Sequence, residues 1–433
     1  MGETMTGVYL PGERTVRLAS VPVPVPGPGQ VLLRVGASTI CGSDLRAIYR
    51  EHLGAGPEAY QDVIAGHEPA GTVVQVGPQV AGLAVDDRVV VYHVSGCGRC
   101  ADCRLGYQIS CTSPERAAYG WQRDGGHAEF LLAQARDCLP LPPSLSMVDG
   151  ACVACGFGTA YEGLCRAAVS GADRLLVIGL GPVGQAVGLL GGALGAPLRI
   201  GVDVSARRLA AALELGAIDR AVTVDEADAA IAELTGGAGC EVAVDCSGAT
   251  AGRTLAVRGT ARRGRVVLLG EGARLDVEAS PLLLHRQLTV HGSWVTSTYR
   301  MAELLDRLAR WQLHPEVVVT DRFALADADA AYRLADTGDR GKIALVPAGA
   351  GRCPRRGRRG PAPAGGWRVL SGGGRAGRAS RRRRRPAGCR HAGRRRSPGR
   401  RPAARTRRAG SRRSPAGRAR PTRRRAGRWA SPP

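Results

Sequence analysis

The sequence predicts an α/β fold with two folded domains, one rich in β-strands and one built on a doubly wound parallel sheet. Residues 7–150 contain short strand-like runs separated by Gly and Pro, for example 31–35, 71–76 and 88–92. After residue 151, short buried strands alternate with helices, a pattern typical of a parallel sheet covered on both faces. A chain of 433 residues is long enough for two or three domains.

The second domain can be predicted element by element. Its first strand, residues 175–178, is followed by a Gly-rich turn and an apolar helix that ends near Leu194. The further expected elements are strands at 199–202, 221–224, 241–244 and 265–269 and a helix at 206–215. A helix at 301–311 and a last strand at 342–346 complete the folded part of the chain.

The positive net charge of +24 belongs to the C-terminal tail. Residues 349–433 contain 30 Arg and no Asp or Glu, whereas residues 1–348 contain 31 basic and 37 acidic residues. A segment this poor in apolar residues cannot bury a core, so we expect a disordered basic tail. Two interpretations stay open: a tail that contacts nucleic acid non-specifically, or a passive extension translated from a shifted reading frame of GC-rich DNA.

The sequence of the folded part shows neither the pattern of a membrane-spanning segment nor that of a secretory signal. No apolar run reaches the roughly 18 residues of a membrane span, and the N-terminus lacks the basic-then-apolar pattern of a secretory signal. We therefore expect a cytoplasmic protein without membrane contact. Thirteen Cys in such a chain indicate metal binding or catalysis rather than disulfides.

A cluster of cysteines predicts a structural zinc site. Cys97, Cys100, Cys103 and Cys111 have the spacing C-x2-C-x2-C-x7-C, and four such thiolates can surround one tetrahedral Zn²⁺. Because all four positions are Cys, no position remains for water or substrate. The alternatives are an iron–sulfur cluster or free buried thiols.

A glycine-rich loop predicts dinucleotide binding. Gly179, Gly181 and Gly184 follow the strand 175–178 in the pattern Gly-x-Gly-x-x-Gly and open a helix. These glycines permit a tight turn, close approach of a pyrophosphate and packing of helix on strand. Pro182 and Val183 lie in the first helical turn, whose free N–H groups favour phosphate.

Asp203 predicts NAD rather than NADP. It ends the next strand, 19 residues after Gly184, where a carboxylate accepts hydrogen bonds from the ribose 2′-hydroxyl and repels a 2′-phosphate. Arg207 and Arg208 lie close by, and Arg side chains can also bind that phosphate.

Several short motifs occur in one order along the chain: Cys-Gly-Ser-Asp at 41–44, Gly-His-Glu at 66–68, the cysteine cluster, Cys-Gly-Phe-Gly-Thr at 155–159, and the glycine-rich loop. In these motifs the chain resembles the zinc-dependent medium-chain alcohol dehydrogenases, over about residues 7–348. The resemblance implies a GroES-like catalytic domain and a Rossmann domain. The expected limits are 1–156 for the catalytic domain with its zinc lobe at 96–112, 157–294 for the Rossmann domain, 295–348 for a return segment, and 349–433 for the tail.

The resemblance also implies a second, catalytic zinc held by Cys41, His67 and Cys155, hence two zinc ions per subunit. Three protein ligands with an open fourth position are the pattern of catalytic zinc. For Cys155 the alternative is a core thiol, with Cys152 or Cys165 as the ligand.

Two side chains beside this site have open roles. Glu68 either replaces the water during ligand exchange or supports the site without touching the metal. In relatives, a basic residue also lies near the adenosine of NAD, and the resemblance assigns that place to Arg208.

Ser43 is the expected start of a proton relay from the substrate, and its alternative role is a helix N-cap. In many relatives a His follows three residues later, but this chain has Arg46, which stays protonated and cannot serve as a base. The relay then ends in water or at His52.

These features predict a zinc- and NAD-dependent dehydrogenase that acts on a secondary alcohol or polyol, including amino-polyols and aminocyclitols. The alternatives are an aldehyde or ketone reductase of the same family and, from another class, a nucleic-acid-binding protein that uses the basic tail. We expect a homodimer or homotetramer. Tyr49, Tyr60 and Trp121 are candidates for the substrate pocket, and residues 245–248 and 269–271 for the nicotinamide cleft.

Overall fold

The computed structural model describes residues 3–51 and 59–348. The basic tail at 349–433 and the relay candidate His52 therefore lie outside the described residues. Among the helices described, none combines the length and the apolar character that a membrane crossing requires.

The first domain is built around a mainly antiparallel sheet. The strands of this domain are β1 (Thr4–Gly12), β2 (Thr15–Pro22), β3 (Gln30–Ile40), β4 (Pro69–Val76), β5 (Arg88–Val91), β6 (Val94–Ser95), β7 (Ala117–Ala118), β8 (Phe130–Gln134) and β9 (Cys138–Pro140). The main sheet contains β3, β4, β5, β8 and β9, whereas β1 with β2 and β6 with β7 form separate two-stranded sheets. β3 is central, because it pairs with both β4 and β8. This β-rich domain has the predicted GroES-like character.

The second domain contains a six-stranded, wholly parallel sheet. Its strands are β10 (Leu175–Ile178), β11 (Arg199–Asp203), β12 (Arg220–Thr223), β13 (Cys240–Asp245), β14 (Thr260–Leu268) and β15 (Thr289–Gly292). They are ordered β12-β11-β10-β13-β14-β15, and each pairing is parallel. The predicted Rossmann sheet is confirmed.

Helices connect these strands and lead into the site. The α-helices are α1 (Ala101–Arg104), α2 (Met147–Cys152), α3 (Gly158–Arg166), α4 (Pro182–Ala193), α5 (Ala206–Glu214), α6 (Ala227–Thr235), α7 (Thr250–Gly259), α8 (Thr298–Trp311) and α9 (Ala328–Asp336). Three further segments are π-helical, namely Asp44–Tyr49, Val153–Phe157 and Ser280–Leu284.

The end of the chain returns to the first domain. β16 (Val319–Phe323) and β17 (Lys342–Leu345) extend the first sheet, giving the order β16-β17-β3-β4-β5-β9. β17 runs antiparallel to β3, with Ile343 opposite Ile40. This pairing places Lys342 beside the end of β3, where Cys41 follows.

One predicted strand begins earlier than expected. The sequence predicts residues 265–269, whereas β14 starts at Thr260. Residues 260–264 include Gly264 and a positive-φ residue, Arg263, and the pairing with β13 shifts register there. A bulged strand start of this kind does not show the regular alternation that identifies a strand in a sequence.

The position of the cofactor cleft follows from the order of the parallel strands. β10 is flanked by β11 on one side and β13 on the other, so the chain changes direction across the sheet at this point. In such sheets a crevice opens at the carboxyl ends of the strands. The loop from Gly179 to Gly184 lies at this point, because it follows β10 directly. The four residues of β10 are all buried, as a central strand requires.

A buried carboxylate ties the return segment to α2. Asp149 accepts hydrogen bonds from Ser146 N at 2.8 Å and from Glu316 N at 2.9 Å, and its Oδ2 lies 2.9 Å from His314 Nδ1. Ser146 and Asp149 also form a capping box at the start of α2. The bond from Asp149 raises the pKa of His314 above its usual value.

We expect His314→Gln to lower the melting temperature more at pH 6 than at pH 8.5. Since the folded-state pKa of His314 is raised above the unfolded value of about 6.5, its charged form adds stability below that pH, and this stability is lost as the pH rises through the folded-state pKa. The His314 side chain is 41% exposed, so screening limits the effect to about 0.5 kcal/mol. Thermal unfolding at both pH values measures it.

The exposed His285 supplies the control for this measurement. His285→Gln should differ from the wild type by the same amount at both pH values. If His314→Gln also shows an equal difference at both pH values, the charged contact with Asp149 does not stabilise the fold.

Candidate active site

Three separate segments of the first domain form a cluster of metal-binding side chains. Cys41 follows β3, His67 and Glu68 precede β4, and Cys155 lies in the π-helical segment Val153–Phe157. One ligand atom from each of these four residues lies within 4.8 Å of the others. The hydrogen bond from Cys155 lowers the pKa of the Cys41 thiol well below its usual value, although burial opposes this shift.

The buried carboxylate of Asp44 organises two of these ligands. Its Oδ1 lies 2.8 Å from His67 Nδ1, and its Oδ2 accepts a hydrogen bond from Cys41 N at 2.9 Å. This contact assigns the proton of neutral His67 to Nδ1 and leaves Nε2 as the metal-binding atom. The sequence prediction did not assign a role to Asp44; its signal was a carboxylate three positions after a cysteine ligand.

Glu68 is held from the side of the last strand. Lys342 Nζ lies 2.7 Å from Glu68 Oε1 and 2.6 Å from Oε2, and the Thr39 hydroxyl also donates to Oε2. Burial opposes the ammonium form, yet Glu68 raises the pKa of Lys342 above its usual value. With both oxygens engaged, these contacts favour a supporting carboxylate over a metal ligand.

The alternative cysteine ligands lie outside this cluster. Cys152 is buried at the end of α2, and Cys165 lies on α3 beside Tyr161. Neither belongs to the group of ligand atoms around Cys41 and His67. The geometry therefore brings together the set that the resemblance implied, with Cys155 as its second thiol.

The cluster opens into a cavity of about 580 Å³ between the two domains. Ser43, Arg46, His93 and Trp121 line it from the first domain, and Val183, Ser247, Leu269, Glu271 and Trp294 line it from the second. Residues 246–247 and 269–271, which the sequence predicts for the nicotinamide cleft, line this cavity. The other two pocket candidates do not line the cavity: Tyr49 and Tyr60 pack in a hydrophobic cluster of the first domain.

Ser43 and Arg46 have different surroundings on the cavity wall. The Ser43 side chain makes no capping hydrogen bond to the segment Asp44–Tyr49, so the N-cap alternative lacks its contact. Arg46 donates to Glu271 across the cavity. Near the metal-binding cluster, Arg46 therefore provides a paired cation.

His93 is a cavity residue that the sequence prediction missed. Its ring lies 5.3 Å from the His67 ring, and its Nδ1 lies 2.9 Å from the carbonyl oxygen of Ala154. That carbonyl requires a proton on Nδ1, which leaves Nε2 as an acceptor. Burial and His67 lower the pKa of His93 to about 4, so it stays neutral near pH 7.

The cysteine lobe folds into a second, closed cluster. The Sγ atoms of Cys97, Cys100, Cys103 and Cys111 lie within 4.8 Å of one another. Backbone N–H groups point at these sulfurs, as from Cys100 to Cys97 at 3.4 Å. Together the N–H groups of Arg99 and Cys100 lower the pKa of Cys97 to about 6. These N–H contacts favour the thiolate form of Cys97, the form that binds zinc.

The glycine-rich loop has the shape that a dinucleotide requires. At Gly184 a Cβ would lie 1.9 Å from the Gly179 carbonyl oxygen, so the turn itself excludes a side chain there. At Gly181, with φ near −63°, a Cβ would meet nothing within 4 Å. The protein's own packing does not demand glycine at Gly181, which leaves open space beside the backbone where a bound molecule can approach closely. Gly181 precedes Pro182, the first residue of α4.

The Asp203 carboxylate holds this loop in place by hydrogen bonds to the backbone. Its Oδ2 accepts a hydrogen bond from Leu180 N at 2.6 Å, and its Oδ1 accepts one from Ser205 N at 2.8 Å. Arg208 lies 3.8 Å from the same carboxylate and donates to the Gly338 carbonyl oxygen at 2.7 Å. Since each carboxylate oxygen has a second lone pair, Asp203 can still accept hydrogen bonds from a ribose.

The donor chemistry of the two clusters fits zinc. Two thiols with one imidazole, and a set of four thiols, are ligand sets that zinc adopts in catalytic and structural sites respectively. The first cluster faces the cavity, whereas the second uses four protein ligands. These residues match a metal with an open fourth ligand position at the first site and a metal enclosed by four protein ligands at the second.

Two protein-family models match the chain on either side of the cavity. The alcohol dehydrogenase GroES-like domain matches residues 27–143, and the zinc-binding dehydrogenase model matches residues 182–310. Together they cover more than half of the chain. They agree with the β-rich first domain and the parallel sheet of the second.

Known proteins match over nearly their whole lengths. The uncharacterized zinc-type alcohol dehydrogenase-like protein YphC of Escherichia coli (strain K12) is 48% identical, over 79% of this chain and 99% of YphC. Sorbitol dehydrogenase of Bombyx mori is 31% identical, over 78% and 97%. The solved structure of an alcohol dehydrogenase from Thermus sp. ATN1 superposes with a TM-score of 0.71 at 27% identity, over 79% and 99%. The chain therefore belongs to the zinc-dependent alcohol dehydrogenase family of oxidoreductases.

Proposed function

We propose that the protein oxidises a secondary alcohol or polyol with NAD as the hydride acceptor. The observation that carries this proposal is one shared cavity. The ligand atoms of Cys41, His67 and Cys155 face it from one side, and the carboxyl edge of the parallel sheet faces it from the other. This arrangement supports a metal and a nicotinamide next to the same substrate carbon.

Cys41, His67 and Cys155 would hold the catalytic zinc, and the four cysteines of the lobe would hold a structural one. A catalytic zinc, when bound, acts as a Lewis acid toward the substrate oxygen, and NAD supplies the hydride acceptor. The protein's contribution is to position these groups. Asp44 fixes the orientation of His67, and Lys342 keeps Glu68 as a paired carboxylate beside the site.

Ser43 is the group that we propose to accept the substrate proton. Its hydroxyl is not used as a helix cap, and it lines the cavity two residues after Cys41. Arg46 cannot take the proton further, because a guanidinium stays charged and this one is paired with Glu271. We propose that the Ser43 hydroxyl passes its own proton on as it accepts that of the substrate, and that the proton leaves to solvent at the open side of the cavity. The other predicted end-point, His52, lies outside the described residues.

Polyhydroxylated neutral substrates fit the cavity better than anions. The charge of Arg46 is already offset by Glu271, and the lining of the cavity combines polar groups such as His93 with apolar side chains such as Trp121 and Leu269. The relative named sorbitol dehydrogenase supports a polyol as the substrate class. We therefore propose polyols, including amino-polyols, ahead of simple alcohols.

We expect Cys41→Ala and Cys103→Ala to have separable effects. The wild type should contain two zinc ions per subunit and form NADH with at least one member of a panel of polyols, amino alcohols and aminocyclitols. Cys41→Ala should remove one zinc and nearly all turnover but keep the fold. Cys103→Ala should lower the melting temperature by on the order of 10 °C, because structural zinc binding is also folding energy. Metal analysis, NADH absorbance and thermal unfolding measure these effects.

Cys138→Ala is the matched control, because Cys138 is a buried thiol outside both clusters. It should keep two zinc ions and full turnover. A wild-type enzyme with one zinc per subunit would contradict the two-site assignment. A Cys41→Ala variant that still turned over would remove Cys41 from the catalytic site.

We also expect Asp203→Gly to shift the cofactor preference toward NADP. Without the carboxylate, Arg207 and Arg208 face a 2′-phosphate with no negative group between them, so the NADP-to-NAD ratio of kcat/KM should rise about tenfold, or about 1.4 kcal/mol. Absolute rates should fall with both cofactors, since the brace on Leu180 N is also lost. Steady-state kinetics with each cofactor measure the ratio.

Asp219 pairs with Arg199 at the amino end of β11, whereas Asp203 lies at the carboxyl end of the same strand. Asp219→Asn is therefore the control and should leave the ratio unchanged. A wild type that already prefers NADP would show that Asp203 does not select NAD.

A further inference from the structure

Arg46 reaches across the cavity from the first domain to the second. Its Nη1 donates to the Glu271 carbonyl oxygen at 3.1 Å, and its Nη2 donates to Glu271 Oε2 at 2.9 Å. Arg46 lies three residues after Ser43 on the segment that follows Cys41, whereas Glu271 follows β14 of the parallel sheet. A single side chain therefore links the metal-binding side of the cavity to the cofactor side.

Both ends of this link make further contacts within their own domains. Trp294 Nε1 donates to Glu271 Oε1 at 2.7 Å. Next to Glu271, a Cβ at Gly270 would lie 2.2 Å from Gly248 N, so the loops after β13 and β14 are in close backbone contact. On the other side, the segment of Arg46 begins at Asp44, the carboxylate that contacts a metal-binding imidazole.

The strength of the link suits a cleft that has to open. The side chains of Arg46 and Glu271 are 47% and 52% exposed. Ion pairs with this exposure are weak and are screened by salt. Two hydrogen bonds and a charge pair can then favour the closed spacing of the domains without preventing release of a bound molecule.

We propose that Arg46 and Glu271 are a positioning pair that holds the two domains at the spacing that encloses the nicotinamide end of the dinucleotide. This inference rests on the proposed function for the identity of the dinucleotide. It gives the guanidinium at position 46 a role that does not require proton transfer. In this arrangement Arg46 acts through Glu271 and not by direct contact with substrate or cofactor.

The competing explanation is that Arg46 binds an anionic group of the cofactor or substrate. In that case Glu271 pairs with Arg46 only while no such group is bound. The two explanations predict opposite effects of removing Glu271. A positioning pair loses its function when either partner is neutralised. A direct anion-binding Arg46 becomes more available when Glu271 is neutralised.

The test is a double-mutant cycle on NADH binding by the full-length, zinc-loaded enzyme. NADH fluorescence titrations at low ionic strength would compare the wild type with Arg46→Gln, Glu271→Gln and the double variant. Each single variant should weaken NADH binding about three- to fivefold. The double variant should be no weaker than the singles, because the link is already lost in each. Arg46→Lys, which keeps one charged donor, should lose less affinity than Arg46→Gln.

A matched ion pair inside the second domain supplies the control. Arg258 and Asp228 are 2.7 Å apart with side chains 47% and 65% exposed, and Arg258→Gln and Asp228→Asn should leave NADH affinity unchanged. Tighter NADH binding in Glu271→Gln, or additive losses in the double variant, would overturn the positioning pair. A wild type that binds no NADH would instead overturn the proposed cofactor.

Discussion

The active site depends on one buried carboxylate. Asp44 is fully buried and contacts both the backbone N–H of Cys41 and the imidazole of His67. It therefore fixes the turn that orients the Cys41 thiol. It also fixes the tautomer of His67 that leaves Nε2 available for the metal. The ligands of a metal site have to be oriented before the metal binds. Residues that hydrogen-bond to the ligands set this orientation. The same turn continues into Ser43 and Arg46, so the proton acceptor and the cross-cavity contact share its geometry.

A second constraint is that the end of the folded chain pairs with its first domain, where β17 lies beside β3. Burying the carboxylate of Glu68 beside the metal-binding residues is costly unless a cation is also buried. Lys342, the one lysine of the chain, supplies that cation from β17, which pairs with β3. The first and last parts of the folded chain therefore complete the site together. The parallel sheet between them contributes the glycine-rich loop and the wall that carries Glu271 and Trp294.

The sequence predicts those parts of the molecule whose signal is local. The cysteine lobe, the glycine-rich loop and the buried strand before it each lie within about twenty residues, and their spacing alone indicates their structure. The contacts that the sequence did not predict join distant residues. Lys342 is 274 residues from Glu68, and Arg46 is 225 residues from Glu271. A single sequence does not indicate which of its distant residues lie next to each other in the fold. At position 46 the sequence shows that Arg replaces the His of relatives, but it does not show the contact with Glu271. Asp44 is visible in the motif Cys-Gly-Ser-Asp, but its contact with His67 is not.

The central claim is that the protein has one closed and one open zinc site with different ligand sets. X-ray absorption of the two-zinc enzyme tests this claim most directly, because zinc–sulfur distances of about 2.3 Å are resolved from zinc–nitrogen and zinc–oxygen distances of about 2.0–2.1 Å. Four thiolates at one site, with two thiolates, one imidazole and one exchangeable oxygen at the other, predict an average of about three sulfur and one nitrogen or oxygen neighbour per zinc. An average of four sulfurs, or of two or fewer, would contradict the assignment of the two sites.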